Sequence, residues 1–338
     1  MRTYLLLASA LLGACGGGAG GLVSGIDVAS SSSGNASAST STSTSTSTST
    51  STSSGGGPAI IPLTTVSVSP TVVVNPHIDT SVTAPSITGW TLVWSDEFST
   101  AGLPNSSKWT YDIERNKLGW YNNELQYYSS ARLDNASVQN GNLVITARQE
   151  RLTSAADYGG QNYTSARLIT RGLASWTYGF WEVRAKLPCG LGTWPAIWML
   201  GTGGKWPDDG EIDILEQKGT SAAEKLQILG TVHTKAYNWA GGSKGVAKGA
   251  STSLPNACTS FNNYQMTWDA DRISVGVNGI NYFVYANPKN GDLQEWPFNA
   301  PQYLILNLAM GGDLGGKIDT TKLPAQMEVD YVRVYRKR

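Results

Sequence analysis

Charge is scarce in this chain. Only 15% of its 338 residues are Asp, Glu, Lys or Arg, the formal net charge is zero, and no Lys or Arg lies between Arg2 and Lys108. A polyanion partner needs a dense basic face, so nucleic acid is excluded as a ligand. The bare N-terminal stretch also has nothing to draw it onto an anionic membrane. Histidine is rarer still, and His233 is the only one beyond residue 90. No second His or Cys stands at ligand spacing from it, which argues against a histidine metal centre. Beyond the first fifteen residues no run is long and apolar enough to cross a bilayer as a helix. Sustained helical periodicity is missing too, which turns the reading toward β-structure. Phenylalanine is sparse, at five, against twelve Trp and fifteen Tyr. Flat rings with a polar edge suit the faces of sugars, although such rings also serve as core filler.

What is present begins with an export signal over residues 1–15. Arg2 precedes a short apolar run, Leu5 to Leu12, that is too short to span a membrane. It ends in Leu12-Gly13-Ala14-Cys15, which resembles a bacterial lipoprotein cleavage box. That resemblance implies lipid modification at Cys15 and a surface-tethered outer-membrane lipoprotein; the alternative is ordinary secretion with Cys15 incidental. Residues 16–57 are mostly Gly, Ser, Thr and Ala, with Ser-Thr repeats from Ser39 to Ser53. They bury too little to offset ordering entropy and read as a disordered tether. Residues 58–87, rich in Val, Ile, Thr and Pro, read as an extended stalk. The remaining cysteines, Cys189 and Cys258, both lie in the exported part, where an oxidising compartment permits a disulfide between them. Two separate thiols remain the alternative, since spacing does not show geometry.

All twelve Trp fall at Trp90 or later, and residues 88–338 are a reasonable length for one domain. Strand-like runs recur there: Leu143 to Arg148, Gly179 to Leu187, Leu229 to Thr234, Tyr264 to Trp268, Tyr303 to Ala309 and Glu328 to Tyr335. Asn278-Gly279, between two alternating apolar runs, is a hairpin signal. The expected fold is all-β, an antiparallel β-sandwich or jelly roll. A curved sheet of this kind offers a concave cleft across which a polymer can lie without its end being found.

The chemistry concentrates in Gly210-Glu211-Ile212-Asp213-Ile214-Leu215-Glu216. Like charges on one strand face repel, so stability gives little reason to gather them. Paired acids at fixed separation are what glycosidic cleavage uses. In a regular strand Glu211, Asp213 and Leu215 share a face and Glu216 points into the core; a β-bulge near Ile214-Leu215 returns Glu216 to the acidic face. Four strand steps set the glutamate Cα atoms roughly 13 Å apart. Side chains leaning inward bring the carboxyls near the ~5–5.5 Å of retaining enzymes, and the arithmetic leaves the inverting gap of about 6.5–9.5 Å open as well. Three neighbouring acids do not all ionise cheaply, so at least one keeps its proton. On that ground Glu211 is read as nucleophile, Asp213 as orienting partner and Glu216 as acid/base, although the motif alone does not fix which glutamate is which.

The surroundings add Trp194-Pro195-Ala196-Ile197-Trp198-Met199-Leu200, Trp206-Pro207 and Gly230-Thr231-Val232-His233-Thr234. Further landmarks are Val93-Trp94-Ser95-Asp96-Glu97-Phe98, Asn122-Asn123-Glu124-Leu125-Gln126 and Glu328-Val329-Asp330-Tyr331-Val332-Arg333. Together they resemble family 16 glycoside hydrolases, especially the laminarinase-like endo-β-1,3-glucanases. The resemblance implies a retaining mechanism and the same role order for Glu211, Asp213 and Glu216. Six positions from first to last carboxylate, with Leu215 extra, look like the bulged laminarinase form rather than the shorter lichenase form. It also implies that Trp194, Trp198 and Trp206 line the donor side of the cleft, with Trp206 nearest the cut bond. His233 supports Glu216 or a sugar hydroxyl on this reading, and Asn123, Arg167 and Asn307 are sugar-contact candidates. A structural calcium is implied on Asp330 with the backbone carbonyls of Glu97 and Gly141; no cofactor is needed for catalysis. The expected partner is a β-glucan polysaccharide, met by a monomer. Two alternatives stand: a hydrolase of mixed-linkage glucan or agar, and a glucan-binding protein without catalysis. Binding-only relatives usually lose a catalytic glutamate, and both are present here.

Overall fold

The computed structural model describes residues 78–338. The export run, Cys15, the Ser/Thr tether and most of the 58–87 stalk lie outside these described residues. The last stalk residues are held against the domain rather than free: Asp79 N donates to Ser95 Oγ at 3.0 Å and Glu97 N donates to Asp79 Oδ2 at 3.1 Å. No helix among the described residues is long and apolar enough to cross a membrane.

Two sheets, antiparallel except for the parallel pair Gln126–Tyr128 with Tyr163–Ser165, pack face to face as a sandwich, as the strand-like runs predict. The seven-stranded sheet positions the site. Its strands in chain order are β1 (Thr110–Tyr111), β2 (Arg167–Ile169), β3 (Thr193–Gly201), β4 (Glu211–Glu216), β5 (Gln227–His233), β6 (Lys248–Ser253) and β7 (Gln302–Met310). Across the sheet they run β6-β5-β4-β3-β7-β2-β1. The second sheet is ten-stranded and includes Asn142–Gln149, Gly179–Lys186, Asn262–Trp268 and Ala325–Lys337. Asn278 and Gly279 join two of its strands with φ of 50° and 82°, as the two-residue hairpin requires.

Alternation in β3 shows how sequence selects faces. Ile197 and Met199 are fully buried between the sheets, while Trp194, Ala196 and Trp198 line the outer cleft. Half of the aromatic question resolves toward the core. Trp109, Trp94, Trp176, Trp181 and Trp268 form a continuous series, each ring 5.6–6.2 Å from the next. Three of those contacts are edge-to-face, an arrangement worth about 0.5–1.5 kcal/mol per pair beyond burial. Cys189 and Cys258 are paired as a disulfide with Cα atoms 5.2 Å apart.

Candidate active site

The outer face of the seven-stranded sheet carries a cleft of about 870 Å³. Strand β4 crosses its floor. Gly210 introduces the strand at φ +78°, and a Cβ there would come within 2.7 Å of the Phe298 ring, so the approach excludes larger residues. The bulge that the spacing predicts is present. Pairing of β4 with β3 and with β5 shifts register after Asp213, and Ile212, Ile214 and Leu215 all enter the core. Glu211, Asp213 and Glu216 therefore line the cleft together.

Each acid has a different environment. Glu211 accepts from Trp206 Nε1. Glu216 accepts from Trp194 Nε1 at 3.0 Å. Asp213, 2% exposed, lies between them. Burial raises the Asp213 carboxyl well above its usual range, and the charges of Glu211 and Glu216 push the same way. Burial also pushes Glu216 up to about 7; Glu211 adds to the rise, while His233 and the Trp194 hydrogen bond oppose it. A carboxyl that keeps its proton near neutrality is what a general acid requires.

His233 stands beside the acidic strand. Its partner across the β4–β5 pair is Glu211, and its Nε2 lies 3.3 Å from Asp213 Oδ2 without hydrogen-bond alignment. It is buried beside Glu211, with its ring 6.3 Å from that of Trp206, and is not among the residues lining the cleft. Burial disfavours its charge, but the carboxylates of Glu211, Asp213 and Glu216 outweigh that and push it up to about 9. Its charge also acts on Glu216, whose direct hydrogen-bond donor is the Trp194 indole.

Of the other expected contacts, Arg167 and Asn307 line the cleft, and both hold Trp198. The Arg167 guanidinium stands 4.6 Å from the Trp198 ring and pairs with Asp112 at 3.1 Å. Asn307 Oδ1 accepts from Trp198 Nε1 at 2.7 Å, and its Nδ2 donates to Tyr128 OH at 3.0 Å. Asn123 is not a cleft residue: its amide donates to Asp313 Oδ1 at 2.8 Å, pinning one loop to another. Trp239, Trp120, Tyr121 and Glu124 also line the cleft and were missed. Trp239 stands 5.8 Å from Trp206. Glu124, inside a segment already quoted as a landmark, accepts from Gln126 and Tyr128. On the opposite sheet Asp330 shares its carboxylate with Arg184.

The comparisons agree with this geometry. The family model "Glycosyl hydrolases family 16" matches residues 123–333. A β-glucanase of Rhodothermus marinus is 48% identical over 258 residues, spanning 73% of this chain and 85% of the relative. A solved non-specific endo-β-1,3(4)-glucanase of family 16 is 52% identical with a TM-score of 0.71, covering 75% of this chain and 94% of that one. The solved laminarinase of Rhodothermus marinus is 47% identical with a TM-score of 0.67, covering 74% and 98%. With its two-sheet fold, its bulged acidic strand and this match, the chain belongs to glycoside hydrolase family 16.

Proposed function

We propose that the protein is a retaining endo-β-1,3-glucanase acting on laminarin-type glucan. The observation that carries this reading is the presence of Glu211, Asp213 and Glu216 on one cleft-facing strand, with the Glu216 proton held to about 7. The Glu211 carboxylate attacks the anomeric carbon while Glu216 transfers its proton to the departing glycosidic oxygen. The C–O bond to the leaving sugar breaks as the ester to Glu211 forms. Glu216, now a carboxylate, removes a proton from water; the resulting hydroxide attacks the same carbon and releases Glu211, with net retention. Trp206 and Trp194 orient the two carboxyls through their indole N–H groups. Loops from opposite edges of the sheet bring Trp239 and Trp120 to one continuous cleft, a form suited to internal cleavage of a chain. The likeness to a non-specific endo-β-1,3(4)-glucanase favours a second, broader reading that includes mixed-linkage glucan.

The test is laminarin hydrolysis followed by NMR. The first reducing ends formed are expected as the β-anomer in oligosaccharides of mixed length. kcat/KM should fall as pH rises through about 7, because Glu216 then loses the proton it must donate. α-Anomers would overturn the retaining assignment, and release from lichenan or agar without release from laminarin would replace the substrate.

A structural calcium is a separate proposal. Asp330 supplies a carboxylate oxygen, a donor suited to a hard cation, and the carbonyls of Glu97 and Gly141 would complete the set. Arg184 already engages Asp330, so the ion would share that carboxylate with a guanidinium. Calcium is expected to raise the Tm over the EDTA-treated protein, and to lose that effect in Asp330→Ala. An unchanged Tm would remove the ion.

A further inference from the structure

Lys225 is a buried titratable group that the mechanism leaves unused. It lies on the 3-10 turn Glu224–Leu226 and is 3% exposed. Its Nζ donates to Thr193 Oγ1 at 2.6 Å, Thr193 O at 2.9 Å and Gln217 Oε1 at 3.2 Å, with Pro188 O at 3.5 Å. All of these acceptors are neutral. A buried ammonium without a carboxylate is costly, and an apolar side chain of similar length would avoid the cost. What the ammonium secures is visible in the neighbours of its partners. Thr193 opens β3 and precedes Trp194. Gln217 follows the last residue of β4, Glu216. The Trp194 indole and the Glu216 carboxyl that it meets are therefore each one residue from a ligand of the same amine.

The tie is reciprocal and closed on its far side. Gln217 is fully buried, and its Nε2 returns a hydrogen bond to Lys225 O at 2.8 Å. Thr193 Oγ1 also bonds Gly190 O at 2.7 Å, next to the disulfide. Cys258 Sγ lies 3.6 Å from Pro188 O and 3.8 Å from Gln217 Nε2. The bridge thus borders the oxygen cage around the amine. Burial draws the amine down to about 7, and it remains a hydrogen-bond donor in either protonation state.

We propose that Lys225 is a positioning residue for Glu216: it ties the start of β3 to the end of β4 and thereby fixes the Trp194 indole against the acid/base carboxyl. The inference rests on the assignment of Glu216 made above. It predicts a defect confined to proton donation. A glucan leaving group needs protonation, whereas 2,4-dinitrophenolate departs without it.

The experiment compares kcat/KM on laminarin and on 2,4-dinitrophenyl β-laminaribioside for wild type, Lys225→Met, Thr193→Val and Glu216→Gln. Glu216→Gln is the reference and should lose laminarin activity while keeping the aryl glycoside. Lys225→Met should lose about tenfold or more on laminarin and stay within about twofold on the aryl glycoside. Thr193→Val removes one acceptor and should show the same selectivity at a smaller size; it decides the matter if Lys225→Met does not fold. Equal losses on both substrates, or none on either, would overturn the positioning role. If Glu216→Gln itself loses both substrates equally, the acid/base assignment falls and the Lys225 inference falls with it.

Discussion

Replacing Glu211 with Ala is expected to lower kcat on laminarin by at least about 10⁴-fold, since no other group on the strand is placed to form the glycosyl ester. The loss alone does not separate nucleophile from acid, so azide supplies the distinction. In Glu211→Ala the vacated face admits azide directly to the anomeric carbon, and the product is the α-glycosyl azide. In Glu216→Ala, assayed on an aryl glycoside, the ester to Glu211 still forms, azide displaces it, and the product is the β-glycosyl azide. NMR of the two products reads the roles from configuration. The opposite pattern would exchange the two glutamates; no azide product from either would remove the covalent step. Asp213 is not a substitute nucleophile in this scheme, because burial and its two neighbours hold it toward the neutral form.

The largest stability effect is expected far from the cleft, at Arg333→Met. Arg333 donates from Nε and Nη2 to the two oxygens of Glu97 at 2.9 and 2.8 Å, and both side chains are almost fully buried. Removing the guanidinium strands a buried carboxylate, which costs about 3–5 kcal/mol. That is a large share of the roughly 5–15 kcal/mol that holds a typical domain folded. Urea unfolding monitored by tryptophan fluorescence measures it. The double replacement Glu97→Met with Arg333→Met should recover most of the loss, because an apolar pair leaves no stranded charge. A loss under about 1 kcal/mol in the single variant would mean that water reaches Glu97.

The acidic strand was legible because its information is local. Six positions containing three carboxylates have one regular arrangement that wastes Glu216 and one bulged arrangement that uses it, and the bulge is what forms. The sandwich was legible for the same reason, from alternation and the Asn278-Gly279 turn. What escaped depends on which strand lies beside which. His233 reaches Asp213 only because β5 pairs with β4 in a register that sequence does not state. Arg167 and Asn307 proved to be partners of Trp198 through the β2–β7 pairing. Trp239, Trp120 and Glu124 come from loops whose path is set by distant contacts. Asn123 is the complementary case: an amide in a turn is as ready to bond a neighbouring loop as a ligand, and here its Nδ2 donates to Asp313.

The extra residue in β4 also bears on how such a site can change. Ile214 and Leu215 both lie inward, so loss of one codon there would shorten the strand without turning its final glutamate over. Asp213 stands opposite Trp198 and Glu216 opposite Ala196, so three steps on β4 face two on β3, and removal of the extra residue leaves the proton donor opposite Ala196. An ordinary one-residue slip inverts every side chain beyond it; here the bulge absorbs a one-residue deletion, so the strand can change length while both glutamates keep the cleft face.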